Sequence, residues 1–246
     1  MATRTRRPSL VARIRTAGGI LIAVLSTKGG VGKSLIAWML AHELAQRGLR
    51  VLLIETDDQQ TLTDIEAVRA IAPRVTVMLY PHLSIWEDID NLRAGYDVVV
   101  VDGRGHNEAA TRAVLAAVAP DPHAVVLVPV KPFPADIWAI RRDTAPLLVE
   151  AGAQFAPGGE LTVRMVLTDF DPREVITAGA LAALDRAGIA PQTHGLQRRT
   201  AYAQALGHGL AVCEFEPGGP AAADVAVLAT ETATLALGEN NPKGQQ

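Results

Sequence analysis

The stretch that most constrains this chain is Leu25-Ser26-Thr27-Lys28-Gly29-Gly30-Val31-Gly32-Lys33-Ser34. An apolar run over residues 20–25 precedes its charged part and reads as a buried strand; residues 35–46 follow it and read as a helix. Strand, glycine-rich turn and helix start form the context that a phosphate-binding loop requires. The glycines let backbone N–H groups turn inward around an anion, and the helix N-terminus adds its partial positive charge. Lys28, Gly29, Gly30, Val31, Gly32, Lys33, Ser34 and Leu35 are therefore the candidate nucleotide-binding residues. Lys33 is expected to reach the β- and γ-phosphates, and the Ser34 hydroxyl to ligate Mg²⁺. Lysine usage points the same way: of only four lysines, against nineteen arginines, two sit in this loop. A compact ammonium suits a phosphate cradle better than incidental placement in a glycine-rich turn explains it.

A length of 246 residues suits one α/β domain with a substantial core. The chain is 49% apolar and 20% charged, with a formal net charge of −3. That balance gives no overall attraction to nucleic acid, so any DNA contact must come from a local basic patch. Cys213 is the single cysteine, which excludes a disulfide framework and a CxxC metal or iron–sulfur site. The six histidines show no metal-ligand spacing. No apolar run approaches the ~18 residues needed to span a membrane, and a cytoplasmic chain is expected.

Residues 1–19 stand apart as a basic arm, with Arg4, Arg6, Arg7, Arg13 and Arg15 and no acid. Leu10, Val11 and Ile14 are spaced for a turn or two of amphipathic helix. The arm reads either as a flexible solvated tail or as a DNA- or membrane-surface segment. Strands are then expected at 50–54, 75–79, 96–102, 124–130 and 161–167. Helices are expected at 82–92, 107–118, 137–150, 172–187 and 221–237, with 61–71 a further segment and 152–159 a surface loop. Four valines ending in Asp102, downstream of the loop, make a Walker B pattern in which Asp102 holds Mg²⁺ through water. This alternation gives a doubly wound, mostly parallel sheet over residues 20–238, followed by a polar tail at 239–246.

The same residues carry a resemblance. Lys28-Gly-Gly-Val-Gly-Lys33-Ser34 resembles the deviant Walker A motif of the ParA/MinD ATPases, with Lys28 as the signature lysine. The resemblance implies that Lys28 crosses a nucleotide-sandwich homodimer to the partner's ATP. Glu55-Thr56-Asp57-Asp58-Gln59 is similar to the family's Asp-x-Asp-Pro-Gln, which makes Asp57 the residue that orients the attacking water and places it near the metal with Ser34 and Asp102. Glu55 and Asp58 depart from that pattern and bear on the hydrolysis rate. Gly103-Arg104-Gly105 resembles the small plasmid-partition branch typified by ParF. Residues 129–136 resemble the Pro-Val-x-Pro-Ser-Pro-x-Asp loop near nucleotide and dimer interface, with a merely rigid loop as the alternative. Residues 197–205 are similar to the family's arginine-led C-terminal helix. Arg198 and Arg199, with Arg173 and Arg186, are candidates for a non-specific DNA-backbone patch or else form a solvated basic face.

The resemblance spans residues 20–237. It implies an ATP- and Mg²⁺-dependent partition ATPase that binds DNA non-specifically as a dimer, associates with the nucleoid and is released by a small ParB-type partner. The family also offers ATPases that position carboxysomes, chemotaxis clusters or conjugation machinery, and MinD-like membrane switches. The last needs a basic amphipathic C-terminal helix, which residues 238–246 do not supply, so no membrane contact is expected.

Overall fold

The computed structural model describes residues 8–72, 74–105, 108–156, 158, 161–185 and 194–239. Its strands are β1 (Ile20–Val24), β2 (Val51–Glu55), β3 (Thr76–Leu79), β4 (Val98–Asp102), β5 (Ala124–Val130), β6 (Val163–Phe170) and β7 (Leu196–Gln197). They form one seven-stranded sheet in the order β3-β2-β4-β1-β5-β6-β7, and every pairing is parallel. β1, β2 and β4 are buried along their whole length. Their continuous apolar sequences are what a sheet covered on both faces demands. Side chains alternate between two cores: Ile20, Ile22 and Val24 enter one, Leu21, Ala23 and Leu25 the other.

The first core is closed by α1 (Leu10–Thr16), α2 (Lys33–Gln46), α3 (Thr61–Ala67), α9 (Thr200–Gly207), α10 (Val212–Phe215) and α11 (Pro220–Ala236). The second is closed by α4 (Ile85–Arg93), α5 (Glu108–Val118), α6 (Pro134–Ala139), α7 (Ala145–Phe155) and α8 (Val175–Asp185). β1 lies at the centre with β4 and β5 on either side. The loop after β1 therefore opens at the carboxyl ends of the strands where the order reverses, the place such sheets reserve for ligands.

Three expectations change. Residues 8–19 are not a free arm: Ser9 caps α1 by accepting from the Ala12 N–H at 3.2 Å, and Ile14 has 0% exposure inside the first core. Arg13 pairs with Glu239, and Arg15 donates to the Gly48 carbonyl at 2.8 Å. Leu10, Val11 and Ile14 fall on one helical stripe, and burying it outweighs solvating the arginines. Arg4, Arg6 and Arg7 lie outside the described residues.

The helix expected at 137–150 begins at Pro134, passes through a π-helical turn over Ile140–Thr144 and continues to Phe155. Gly152, expected in a loop, is buried within it beside Ala151. Pro146 has no N–H to give to the preceding turn, and the wider π turn accommodates that loss. Pro172 lies outside α8, because Asp171 Oδ1 captures the Arg173 N–H at 3.0 Å and holds a turn there. Among the described residues no helix is long and apolar enough to cross a membrane.

Candidate functional site

Between β1 and α2 the chain curls through two left-handed glycines, Gly30 at φ +71° and Gly32 at φ +97°. A side chain at either would strain the backbone, so these positions belong to glycine. Lys33 opens α2, and its ammonium folds back to donate to the Lys28 carbonyl at 3.1 Å. Burial holds its pKa below the usual lysine value, while Asp102 and Asp57 oppose that shift. Thr168 on β6 donates to the Val31 carbonyl at 2.8 Å and anchors the far side of the loop.

Asp102 ends β4 with 1% exposure. Burial raises its carboxyl to about 7, against a hydrogen bond from Ser34 and the charge of Lys33. Its Oδ1 is buried and has no hydrogen-bond partner. An unsatisfied carboxylate oxygen beside a serine hydroxyl, at a helix N-terminus, is a donor set for a hard cation. Asp102 and Ser34 thus fit Mg²⁺ by their own chemistry. Among the described residues no group of three His, Cys, Asp or Glu could hold a metal ion.

Two glycines press the loop after β4 against the phosphate loop. A Cβ at Gly103 would lie 2.2 Å from Leu25, and one at Gly105 would lie 2.9 Å from Lys33 Nζ. Between them the Arg104 N–H donates to Thr56 Oγ1 at 3.1 Å, and that hydroxyl donates to the Asp102 carbonyl at 2.8 Å. Asp57 sits at the cleft mouth and accepts from the Gln59 N–H at 3.1 Å. Glu55 does not enter the cleft. It is fully buried and accepts from Leu62 N at 2.8 Å, Thr63 N at 3.0 Å and Thr63 Oγ1 at 2.8 Å. The carboxylate satisfies the first-turn donors of α3 that Gln60, at the N-cap, leaves unbonded.

Lys28 takes a partner outside the loop. Its ammonium pairs with Asp136, a buried carboxylate in the first turn of α6. Thr27 Oγ1 lies 2.9 Å from Thr144 Oγ1 in the π turn, a second tie from the phosphate loop to that helix. Phe133 and Trp138 stand exposed on the same segment, Trp138 at 64%. Asp136 was legible in the proline-rich motif, yet its role as partner of Lys28 is a tertiary fact.

Lys33, Ser34, Asp57, Arg104 and Gly105 line a cleft of about 630 Å³. Gly30, Gly32 and Leu35 are shared with a second cleft of about 270 Å³, lined also by Thr168, Asp169, Arg198, Arg199 and Tyr202. Three of the four arginines expected to form a DNA patch are matched to acids. Arg198 lies 3.1 Å from Asp169 and 3.2 Å from Glu174, Arg199 lies 2.8 Å from Asp224, and Arg173 lies 2.7 Å from Asp171. Arg198 and Arg199 thus flank the phosphate loop as ion pairs and do not form a free cationic face. Arg186 lies outside the described residues.

Comparison with known proteins agrees with this geometry. The sequence profile of the CobQ/CobB/MinD/ParA nucleotide binding domain, CbiA, matches residues 22–213. The chain is 29% identical over 206 residues to the maintenance of carboxysome distribution protein A of Halothiobacillus neapolitanus, covering 82% of this chain and 91% of that one. A 50-residue stretch is 50% identical to a probable plasmid-partitioning protein ParA of Thermus thermophilus, 20% of this chain and 16% of that one. Among solved structures, the septum site-determining protein MinD of Pyrococcus horikoshii with Mg-ADP superposes with a TM-score of 0.67 at 14% identity, covering 89% of this chain and 97% of that one.

Proposed function

The chain belongs to the CobQ/CobB/MinD/ParA nucleotide-binding family, as an ATPase of its ParA/MinD branch, and from that premise we propose how its residues work as a cargo-positioning switch. ATP is the nucleotide, with its phosphates wrapped by residues 28–35 and Lys33 neutralising the β- and γ-oxygens. Mg²⁺ held by Ser34 and Asp102 supplies charge neutralisation to the phosphates. Asp57 orients the attacking water at the cleft mouth, and fixed positive charge around the phosphates stabilises the transition state.

The observation that carries the switch is the divergence of the two loop lysines. Lys33 is turned inward, whereas Lys28 is turned toward the flank of α6, where Phe133 and Trp138 are exposed. A cation beside an uncovered apolar patch suits a second copy of the chain, in which Lys28 leaves Asp136 and reaches the partner's ATP. The ATP-bound dimer binds DNA non-specifically, and hydrolysis stimulated by a small ParB-type protein releases it. Plasmid or chromosomal DNA is the cargo in this reading. The relative that matches over most of the chain favours a second reading, in which the same switch distributes carboxysomes.

Binding to a random-sequence duplex with Mg-ATP, with Mg-ADP and without nucleotide tests the switch. Binding only with ATP is expected. Equal binding in all three conditions replaces the switch with a constitutive tether, and no binding at low salt removes DNA from the function.

A further inference from the structure

Arg104 and Asp58 stand far apart in the sequence, and Asp58 departs from the family pattern. The structure brings them together. Arg104 Nη1 lies 2.6 Å from Asp58 Oδ2, and its Nε lies 3.9 Å from Asp57 Oδ1. The pair joins the loop after β2 to the loop after β4 across the mouth of the larger cleft, with Arg104 and Asp57 among the residues that line it.

The place of Arg104 is set on both sides by glycine. Gly103 has no room for a side chain against Leu25, and position 105 sits with its would-be Cβ 2.9 Å from Lys33 Nζ. Consecutive Cα atoms are about 3.8 Å apart, so Arg104 leaves the backbone one residue from the ammonium that meets the terminal phosphates. Its side chain is 30% exposed, so solvent and ligand can reach it. A guanidinium fork accepts carboxylate and phosphate oxygens in the same geometry, and a phosphate carries more charge per acceptor.

We infer that Arg104 reads the terminal phosphate: its guanidinium exchanges Asp58 and Asp57 for γ-phosphate oxygens and so separates a nucleoside triphosphate from a diphosphate. The inference rests on the nucleotide site proposed above and adds a residue to it. Asp58 is the counterweight that sets how strongly the triphosphate is preferred. Release from Arg104 also leaves Asp57 free to orient water, so the charge that senses the phosphate and the carboxylate that serves hydrolysis are linked through one ion-pair cluster. Arg142 and Lys131 offer no such link; they pair with Asp143 and Asp169, outside this cleft.

Affinities for Mg-ATPγS and Mg-ADP, measured by calorimetry on the full chain, test this. Arg104→Ala is expected to weaken ATPγS by at least ~10-fold, the loss that accompanies removal of a charge-assisted hydrogen bond, and to leave ADP within about threefold. Asp58→Asn is expected to tighten ATPγS by about two- to fivefold, the worth of a part-exposed ion pair, with ADP unchanged. Arg104→Lys, which keeps the charge and loses the fork, falls between and serves if Arg104→Ala does not fold. An unchanged ATPγS-to-ADP ratio in Arg104→Ala, or equal weakening of both, overturns the inference. Lys33→Ala is the separate control: if it retains both nucleotides, the phosphate-loop reading itself fails, whatever Arg104 does.

Discussion

Asp57 illustrates how a single side chain acquires a role from its neighbours. It is 26% exposed, held by the Gln59 N–H and by the outer reach of Arg104. A carboxylate so placed contributes little to stability and is available to a water molecule at the cleft mouth. Asp57→Ala is therefore expected to keep ATP affinity within about threefold and to lower turnover by ~100-fold or more, the scale of a lost general-base or positioning group. Phosphate release under saturating Mg-ATP checks it, and normal turnover would remove Asp57 from the mechanism. Glu55 carries the opposite lesson. Its departure from the motif bears on the hydrolysis rate in the sequence, yet the side chain lies beneath α3, where three donors hold it. A motif fixes the order of residue types and leaves the direction of a side chain to be settled by length and packing.

At the scale of elements, α1 and α2 each make a measurable claim. Ile14 is fully buried where α1 meets the first core. Ile14→Ala is expected to destabilise the chain by about 2–5 kcal/mol, the cost of an emptied core position. Urea unfolding reads it, and a free arm would show no change. In α2, His42 has 0% exposure, its Nδ1 lies 3.0 Å from the Trp38 carbonyl, and its ring lies 4.1 Å from that of Trp38. The carbonyl accepts, so Nδ1 carries the proton of a neutral imidazole. Burial pulls its pKa from 6.5 to about 4, with Arg69 and Arg74 adding to the pull and the Trp38 carbonyl and Glu214 opposing it. Between those two values the unfolded chain takes up a proton that the folded chain refuses. Stability is therefore full above pH 6.5 and falls as the pH drops toward 4, by on the order of 3 kcal/mol for this group. His42→Leu should flatten the pH dependence of the urea midpoint in that window by about one proton. An unchanged slope would place the acid sensitivity elsewhere.

At the scale of the whole molecule, the proposed switch requires two copies. Lys28→Ala is expected to abolish ATP-dependent dimerisation in sedimentation velocity, and with it ATP-dependent DNA binding, while one copy still binds nucleotide through Lys33. Dimerisation that survives would locate the cross-subunit contact in another residue. Arg198 and Arg199 remain the proposed DNA contacts, and phosphates must there displace Asp169, Glu174 and Asp224. Replacing both with alanine should lower the salt slope of binding by about two. An unaltered slope shifts the contact to the arginines on and near α1.

Much of this molecule is legible in the order of its residues. The glycine-rich turn between an apolar strand and a helix, the valine run ending in Asp102, and the alternation of strands with helices are local patterns, and local patterns determine element type and the class of ligand. Residue order alone therefore dictates a mostly parallel α/β sheet with a glycine-rich phosphate loop after its first strand and an aspartate ending a later one. It does not dictate which charges meet. That Lys28 rests on Asp136, that Arg198 is matched to Asp169, and that Arg104 answers Asp58 are all pairings between residues far apart in the chain or on different strand ends. Electrostatic partners are chosen by distance in space, over a few ångströms, and only the closing of the sheet brings those groups within that range.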